Sequence, residues 1–357
     1  MGAKINFKEI SPLEEICKQF IINTISQPSC NLKLIYLLSP VQYNRGIMFS
    51  TAFIFNPSSG RGKSLQKRRK IESVLKKQGI DYKWFTSNSQ KHLKKLARSA
   101  ARNFPVVVAV GGDTTFQIVA SELLATDTSA AMGMLGTGST NDITRSLGIQ
   151  GAKQLSEAIR SRKTRQMDVG ILEMPDEKPI YFLGILSLGM GVEVNRYMSA
   201  FWARHPNLRK GGNWTQTAAG IWGIRHSFRN GTVPARIRIQ ANGMDEWLDY
   251  TLLAFTNIAF YAGGIRLTPG VDSFDGRLGC GVLQTRSWMQ TVAVAKRAYK
   301  GKHVDHPQVK IISGSTFMVQ SQDPVRVQYD GEVSRATREF RISIKPAALK
   351  IVGCSRP

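Results

Sequence analysis

The sequence predicts an α/β fold in two parts, an N-terminal doubly wound parallel-sheet domain followed by a C-terminal β-sandwich domain. Three observations carry this. The 357 residues exceed what one ordinary core organises and suit two. From Thr51 onward, short apolar runs alternate with segments of helical period, the pattern of parallel strands joined by crossover helices. After about Ile149, short alternating strands divided by turn residues take over.

The first domain opens on the apolar run after Met48, with a strand at Thr51–Phe55 and a loop at Asn56–Gly62. A basic helix follows over Ser64–Gln78, with Leu65, Ile71, Val74 and Leu75 as its inner stripe and Gly79 as its stop. Tyr82–Phe85 is a second strand, Thr86–Ser89 a polar turn and Lys91–Arg102 a second basic helix. Val106–Val110 and Met132–Leu135 are the third and fourth strands, followed by helices over Phe116–Leu124 and from Ile143. Beyond, strands read at Val169–Met174, Ile180–Leu188, Ala235–Gln240, Tyr250–Asn257, Arg277–Leu283, Gln308–Ile312, Thr316–Gln320 and Val325–Tyr329. Only Asn213–Phe228 and Trp288–Lys300 look helical there. The expected division is an extension of unassigned role (1–47), the parallel-sheet domain (48–148, rejoined by 341–357) and the β-rich domain (149–340).

No apolar run approaches the ~18 residues of a membrane span, and the N-terminus lacks the basic-then-apolar pattern of a secretion signal. Met1-Gly2 begins like a myristoylation site, but Asn6 stands where Ser or Thr is wanted. Cys17, Cys30, Cys280 and Cys354 are too scattered for a metal site and fit a reduced, cytoplasmic setting. The net charge of +24 draws the chain to anions. Between Val194 and Met244 there is no Asp or Glu, while Arg196, Arg204, Arg209, Lys210, Arg225, Arg229, Arg236 and Arg238 accumulate around Phe201, Trp202, Trp214, Trp222 and Phe228. Such a mixture suits docking on anionic headgroups. Single-stranded nucleic acid would use the same residue types, and core aromatics beside solvated arginines would look alike.

The chemistry concentrates in four loops after four successive strands: Asn56–Gly62, Thr86–Ser89, Gly111–Thr115 and Gly136–Asp142. In a parallel sheet these lie along one edge. Gly111 and Gly112 let the chain turn sharply and leave amides free to meet phosphate, with a helix N-terminus behind them. Asp113 offers a carboxylate for magnesium, Thr114 and Thr115 hydroxyls. Gly138, Ser139 and Thr140 offer amides and hydroxyls to phosphate oxygens, and Asp142 is placed to cap the helix from Ile143. Each loop alone also reads as an ordinary turn or cap.

The ordered set Asn56-Pro-x-Ser-Gly60, Gly111-Gly-Asp-x-Thr115, Gly138-Ser-Thr-Asn-Asp142 and Asp330-Gly-Glu332 resembles the diacylglycerol kinase catalytic-domain family, which is similar to sphingosine and ceramide kinases. The resemblance runs from about Met48 to the C-terminus. It implies an NAD kinase/diacylglycerol kinase-like first domain and an ATP- and Mg2+-dependent lipid kinase. Diacylglycerol or a related lipid alcohol would be phosphorylated by a cytoplasmic protein peripheral to an anionic membrane. No specific nucleic acid partner is implied; an oligomer is compatible with it. Asn56, Gly60, Thr86, Gly111, Gly112, Asp113, Thr114, Thr115, Gly138, Ser139, Thr140, Asn141 and Asp142 would form the ATP site. Glu332 would accept the proton with Asp330 as its partner, although Asp330-Gly331 is also a favoured hairpin turn. Asp272, Asp275 and the carbonyl of Arg277 would hold a structural magnesium.

One position departs from the family. Threonine stands at 114 where glycine is usual, so a Cβ there is expected to crowd the phosphates and Thr114→Gly to preserve or raise ATP affinity. Two rivals stay open: an NAD kinase, which shares the Gly-Gly-Asp loop, and a catalytically silent lipid or nucleic-acid binding protein, favoured by Thr114 and the charge.

Overall fold

The structure, a computed structural model, describes residues 51–354 apart from 63, 127, 139 and 206–212. The side chains of a few further residues, Trp214 among them, also lie outside the description, as do the 1–47 extension, Ser139, Arg209 and Lys210.

The first half alternates as β1 (Thr51–Phe55), α1 (Ser64–Lys77), β2 (Tyr82–Thr86), α2 (Gln90–Asn103), β3 (Val106–Gly111), α3 (Asp113–Ala125), β4 (Ala131–Gly136), α4 (Asp142–Ser146) and α5 (Ala152–Arg160). Its strands are parallel in the order β2-β1-β3-β4. Every residue of β1 is buried, because helices cover both faces of the sheet. Phe53 and Phe55 pack with Ile71, Leu75 and Leu155 of α1 and α5. Ala52 and Ile54 point the other way, into a core with Leu93 and Ala97 of α2 and Phe116 and Ile118 of α3. Ser89 caps α2 by accepting the His92 N–H at 3.1 Å.

The second half comprises β5 (Thr164–Glu173), β6 (Ile180–Phe182), β7 (Ile185–Gly189), α6 (Met190–Arg204), α7 (Asn213–Arg229), β8 (Ala235–Ala241), β9 (Met244–Tyr250), β10 (Leu252–Thr256), β11 (Leu278–Leu283), α8 (Trp288–Ala298), β12 (Val309–Gly314), β13 (Thr316–Tyr329) and β14 (Glu332–Val352). β12-β11-β10-β7 pairs onto the end of β13 through Gln328 and Tyr329, whereas β9-β8 pairs onto its start through Met318–Ser321. A register break between Gln320 and Val325 lets β13 serve both layers of a sandwich. Leu186, Phe255 and Val282 fill the space between the layers together with Ile237, Phe317 and Ile342. β14 pairs with β13 and β5 and then, at Ile351, lies parallel to Met132 of β4. The described residues thus form one compact unit in which the two halves share a strand.

Four elements differ from the expectation. Helix α5 forms in a stretch read as β-rich, because its Leu155 buries against Phe53 and Phe55 of the parallel sheet. Helix α6 was not expected: Gly191, Val192 and Val194 depress helix propensity, but burial of Met190, Val192 and Trp202 overrides it. Edge strand β9, whose Asp245, Glu246 and Asp249 obscure the alternation, tolerates those acids at the sheet's margin. The expected single strand Ile180–Leu188 is broken at Leu183-Gly184, where the backbone turns its amides to Asp330. Among the described residues no helix is long and apolar enough to cross a membrane.

Candidate active site

The loops after β1, β3 and β4 meet as bare backbone. Thr137 N and Gly138 N both donate to Gly111 O, at 2.7 and 3.1 Å. A Cβ on Gly138 would stand 2.8 Å from Gly112 Cα, so only glycine allows this approach. Gly60 faces the Thr137 carbonyl, and Gly111 packs on the Thr115 side chain. Asn56 Nδ2 donates to Thr115 Oγ1 at 3.0 Å, tying the first loop to the third. Helix α3 starts at Gly112 without a side-chain cap, which leaves its positive end facing this junction. The cradle fits a polyphosphate. Asn141 donates to Gly138 O at 3.1 Å, while its Oδ1 is buried with no donor among the described residues.

Asp113 is the tie between the third and fourth loops. Its Oδ2 accepts from Thr140 Oγ1 at 3.1 Å and Asp142 N at 3.3 Å, and its Oδ1 from Ile143 N at 3.2 Å. Three of about four lone-pair sites are therefore spent inside the protein. This corrects one expectation. Asp113, expected to offer its carboxylate to magnesium, caps α4, and Asp142, expected to make that cap, accepts from Gly263 N at 3.2 and 3.0 Å. Burial raises both carboxyls above the usual range; the donors just named pull Asp113 back, and the Gly263 amide pulls Asp142 back.

The turn from β13 into β14 closes over this cradle. Asp330 adopts φ +44°, rare for a side-chain-bearing residue, and its carboxylate is turned inward. Oδ2 accepts from Leu183 N at 2.6 Å; Oδ1 accepts from Gly184 N at 3.0 Å and Ile185 N at 2.9 Å. Burial pushes this carboxyl up to about 7, with the charge of Asp113 adding to the rise and the three amides opposing it. Asp330 thus anchors the turn; its carboxylate is spent on backbone amides and not on Glu332 or a phosphate. Thr114 Oγ1 donates to the Asp330 carbonyl at 3.0 Å, directing its hydroxyl at the turn. Half-buried Glu332 accepts from Gln90 Nε2 at 2.9 Å through Oε1.

Thr86, at the end of β2, is exposed and accepts from Arg68 Nη1 at 3.2 Å, with the guanidinium 4.7 Å from the Trp84 ring centroid. At the implied magnesium loop, Asp272 and Asp275 are exposed, and Asp275 Oδ1 accepts the Arg277 amide at 2.9 Å. Arg277 presents its N–H to Asp275 where the resemblance implied a carbonyl beside it. No group of three or more His, Cys, Asp or Glu side chains among the described residues is placed to hold a metal ion.

Sequence reasoning missed several participants: Gln90 on Glu332, Arg68 on Thr86, Lys67 Nζ donating to Thr137 O at 3.3 Å, and the 257–264 segment that delivers Gly263 to Asp142. The first three sit on helices read only as basic or polar. The Gly263-Gly264 pair was a visible turn signal.

The model of the "Diacylglycerol kinase catalytic domain" matches residues 50–172, and that of the "YegS C-terminal NAD kinase beta sandwich-like domain" matches residues 225–353. Residues 50–172 are thus similar to the diacylglycerol kinase catalytic domain. Among its relatives, the diacylglycerol kinase of Mycobacterium tuberculosis is 24% identical over 88% of this chain and 98% of its own. That of Bacillus subtilis is 22% identical over 78% of this chain and 88% of its own. A crystal structure of a Bacillus anthracis diacylglycerol kinase superposes with a TM-score of 0.63 at 17% identity, covering 85% of this chain and 96% of that one, a likeness of fold. The matched domain and these relatives support a kinase of the lipid-kinase type, and that family implies ATP with a divalent metal.

Proposed function

We propose that this chain transfers the γ-phosphate of ATP to the hydroxyl of diacylglycerol or a related lipid alcohol at the surface of an anionic membrane. The carrying observation is the Thr114–Asp330 hydrogen bond, which seats the Glu332-bearing turn on the Gly111–Asp113 loop. The glycine cradle and the α3 N-terminus bind and orient the phosphates. Glu332, through the Oε2 that Gln90 leaves free, takes the proton of the lipid hydroxyl; that oxygen bonds to the γ-phosphorus as its bond to the β-bridging oxygen breaks, and ADP leaves with the electron pair. Magnesium supplies neutralisation of phosphate charge. For a structural ion, Asp272, Asp275 and the Arg277 carbonyl form a hard oxygen set of suitable chemistry.

For membrane docking, the structure favours a different face from the aromatic segment. Tyr197, Phe201, Trp222 and His226 contact one another between α6 and α7, and Trp202 is buried, so of these rings only Trp222 is exposed, at 39%. By contrast, Lys91, Lys94, Lys95, Arg98 and Arg102 line a cleft of about 440 Å³ along α2, beginning next to Gln90 and opposed only by Glu122. Arg98 pairs with Glu122 at 2.8 Å, and the other four cations suit anionic lipid, at about 1 kcal/mol each near the surface.

The test is radiolabelled transfer from ATP to a lipid panel in mixed micelles, with NAD as a competing acceptor. Labelled diacylglycerol phosphate, and salt-sensitive sedimentation with phosphatidylserine vesicles, are expected. Label on NAD, or binding without any transfer, overturns the reading.

A further inference from the structure

The departure at position 114 acquires a purpose in the geometry. Catalysis by a single carboxylate depends on where the chain holds it, and a displacement of about 1 Å can cost two orders of magnitude in rate. Glu332 sits two residues after a left-handed Asp330 and one after Gly331, at φ +99°. The β13–β14 ladder pairs Tyr329 with Glu332 at the base of the turn, but that ladder does not tie the turn to the phosphate cradle. Two side chains from the nucleotide half do so. Thr114 Oγ1 bonds the Asp330 carbonyl at 3.0 Å, and Gln90 Nε2 bonds Glu332 Oε1 at 2.9 Å. Contact at the first is close enough that a Cβ on Gly331 would stand 2.6 Å from Thr114 Oγ1. Both side chains project from the first turns of packed helices, α3 and α2, whose Phe116, Leu93 and Ala97 share one core. They therefore move as one body.

We propose that Thr114 and Gln90 are positioning residues, a two-point clamp that holds the Glu332-bearing turn over the phosphate cradle. Glycine at 114, as in the family pattern, has no side chain with which to make the first contact. In this chain the hydroxyl replaces whatever else orders the turn. Gln90 in addition occupies Oε1, so only Oε2 meets the acceptor hydroxyl, which sets the direction of proton transfer. The clamp acts on the base and not on the nucleotide, so it is felt in kcat and not in ATP binding.

This inference rests on the lipid-kinase reading, and the experiment separates the two. Thr114→Val, which keeps the shape and removes the donor, and Gln90→Leu are compared with the wild type by steady-state kinetics in mixed micelles. Hydrogen–deuterium exchange of the 329–333 amides is measured on the same proteins. Each variant is expected to lower kcat about tenfold while the KM for ATP moves less than twofold. Exchange of the turn amides is expected to speed up several-fold. Thr114→Ser restores both the rate and the protection. A Thr114→Val variant with wild-type exchange overturns the clamp, whether or not the wild type phosphorylates a lipid. So does a Thr114→Ser variant as impaired as Thr114→Val, or a KM for ATP that rises in step with the fall in kcat. Absence of transfer by the wild type, with exchange changed as expected, defeats the lipid-kinase reading and leaves the clamp standing.

Discussion

The paired loops around Asp113 and the turn at Asp330 use the same device for different ends. In each, a carboxylate accepts three donors and holds backbone that has little regular structure of its own. Asp113 joins loops that already lie side by side on one sheet edge, so its contacts reinforce an arrangement the sheet dictates. Asp330 reaches across more than 140 residues to the break between β6 and β7, where its own N–H also donates to Ile185 O at 3.0 Å. The cradle is thus built into the fold, whereas the base over it depends on a few long-range bonds. Disturbing the first should cost stability, and disturbing the second should cost turnover.

The sharpest break of this contrast is at Glu332. Glu332→Gln is expected to lower phosphate transfer by about 10²–10⁴-fold, the usual worth of a general base, with Tm unchanged. Full turnover by that variant, in the radiolabel assay, removes the mechanism. Asp113→Ala should abolish transfer too, but by a different route. It strands the amides of Asp142 and Ile143, at about 1–3 kcal/mol for each donor left unsatisfied, and Tm should fall by several degrees in a thermal scan. An inactive Asp113→Ala protein with wild-type Tm would make Asp113 a ligand of phosphate or metal.

The proton on Asp330 offers a third test. Its pKa in the fold, about 7, lies above the value near 3.8 of a free aspartate, so the folded chain holds a proton that the unfolded chain releases between those values. Stability from this group is full at pH 4, declines as pH rises toward 7 and is level above. Melting curves from pH 4.5 to 8 should show the wild type losing ground to Asp330→Asn by up to a few kcal/mol as pH rises. A constant gap would mean the three amides outweigh burial.

The smallest expected effect probes the clamp sterically. Gly331→Ala pays for a left-handed backbone and for the contact with Thr114, about 1–3 kcal/mol together. Adding Thr114→Gly should recover only the contact part, by urea titration. Complete recovery would show that the backbone at 331 is not strained.

How much of this was legible in the sequence varies with the range of the interaction. The strand–helix alternation from Thr51 to Gly136 was legible because continuous apolar strands and amphipathic helices declare themselves locally. The glycines of the cradle were legible for the same reason. Gln90, Arg68 and the true partner of Asp113 were not: each gains its meaning from a residue 18 to 242 positions away, and nothing in Ser89-Gln90 points to Glu332. Asp142 misled because a carboxylate before an apolar run is an ordinary cap signal. The tertiary solution gives that task to a side chain from another helix.

Strand β14 carries a consequence for biosynthesis. Because Ile351 lies against Met132, the outer margin of β4 gains its β14 partner only once the residues around Ile351 have left the ribosome. The nucleotide half, although made before them, must wait for that stretch with a bare strand rim that invites self-association. Deleting the stretch around Ile351 would therefore leave a half of the protein made about 200 residues earlier unfinished.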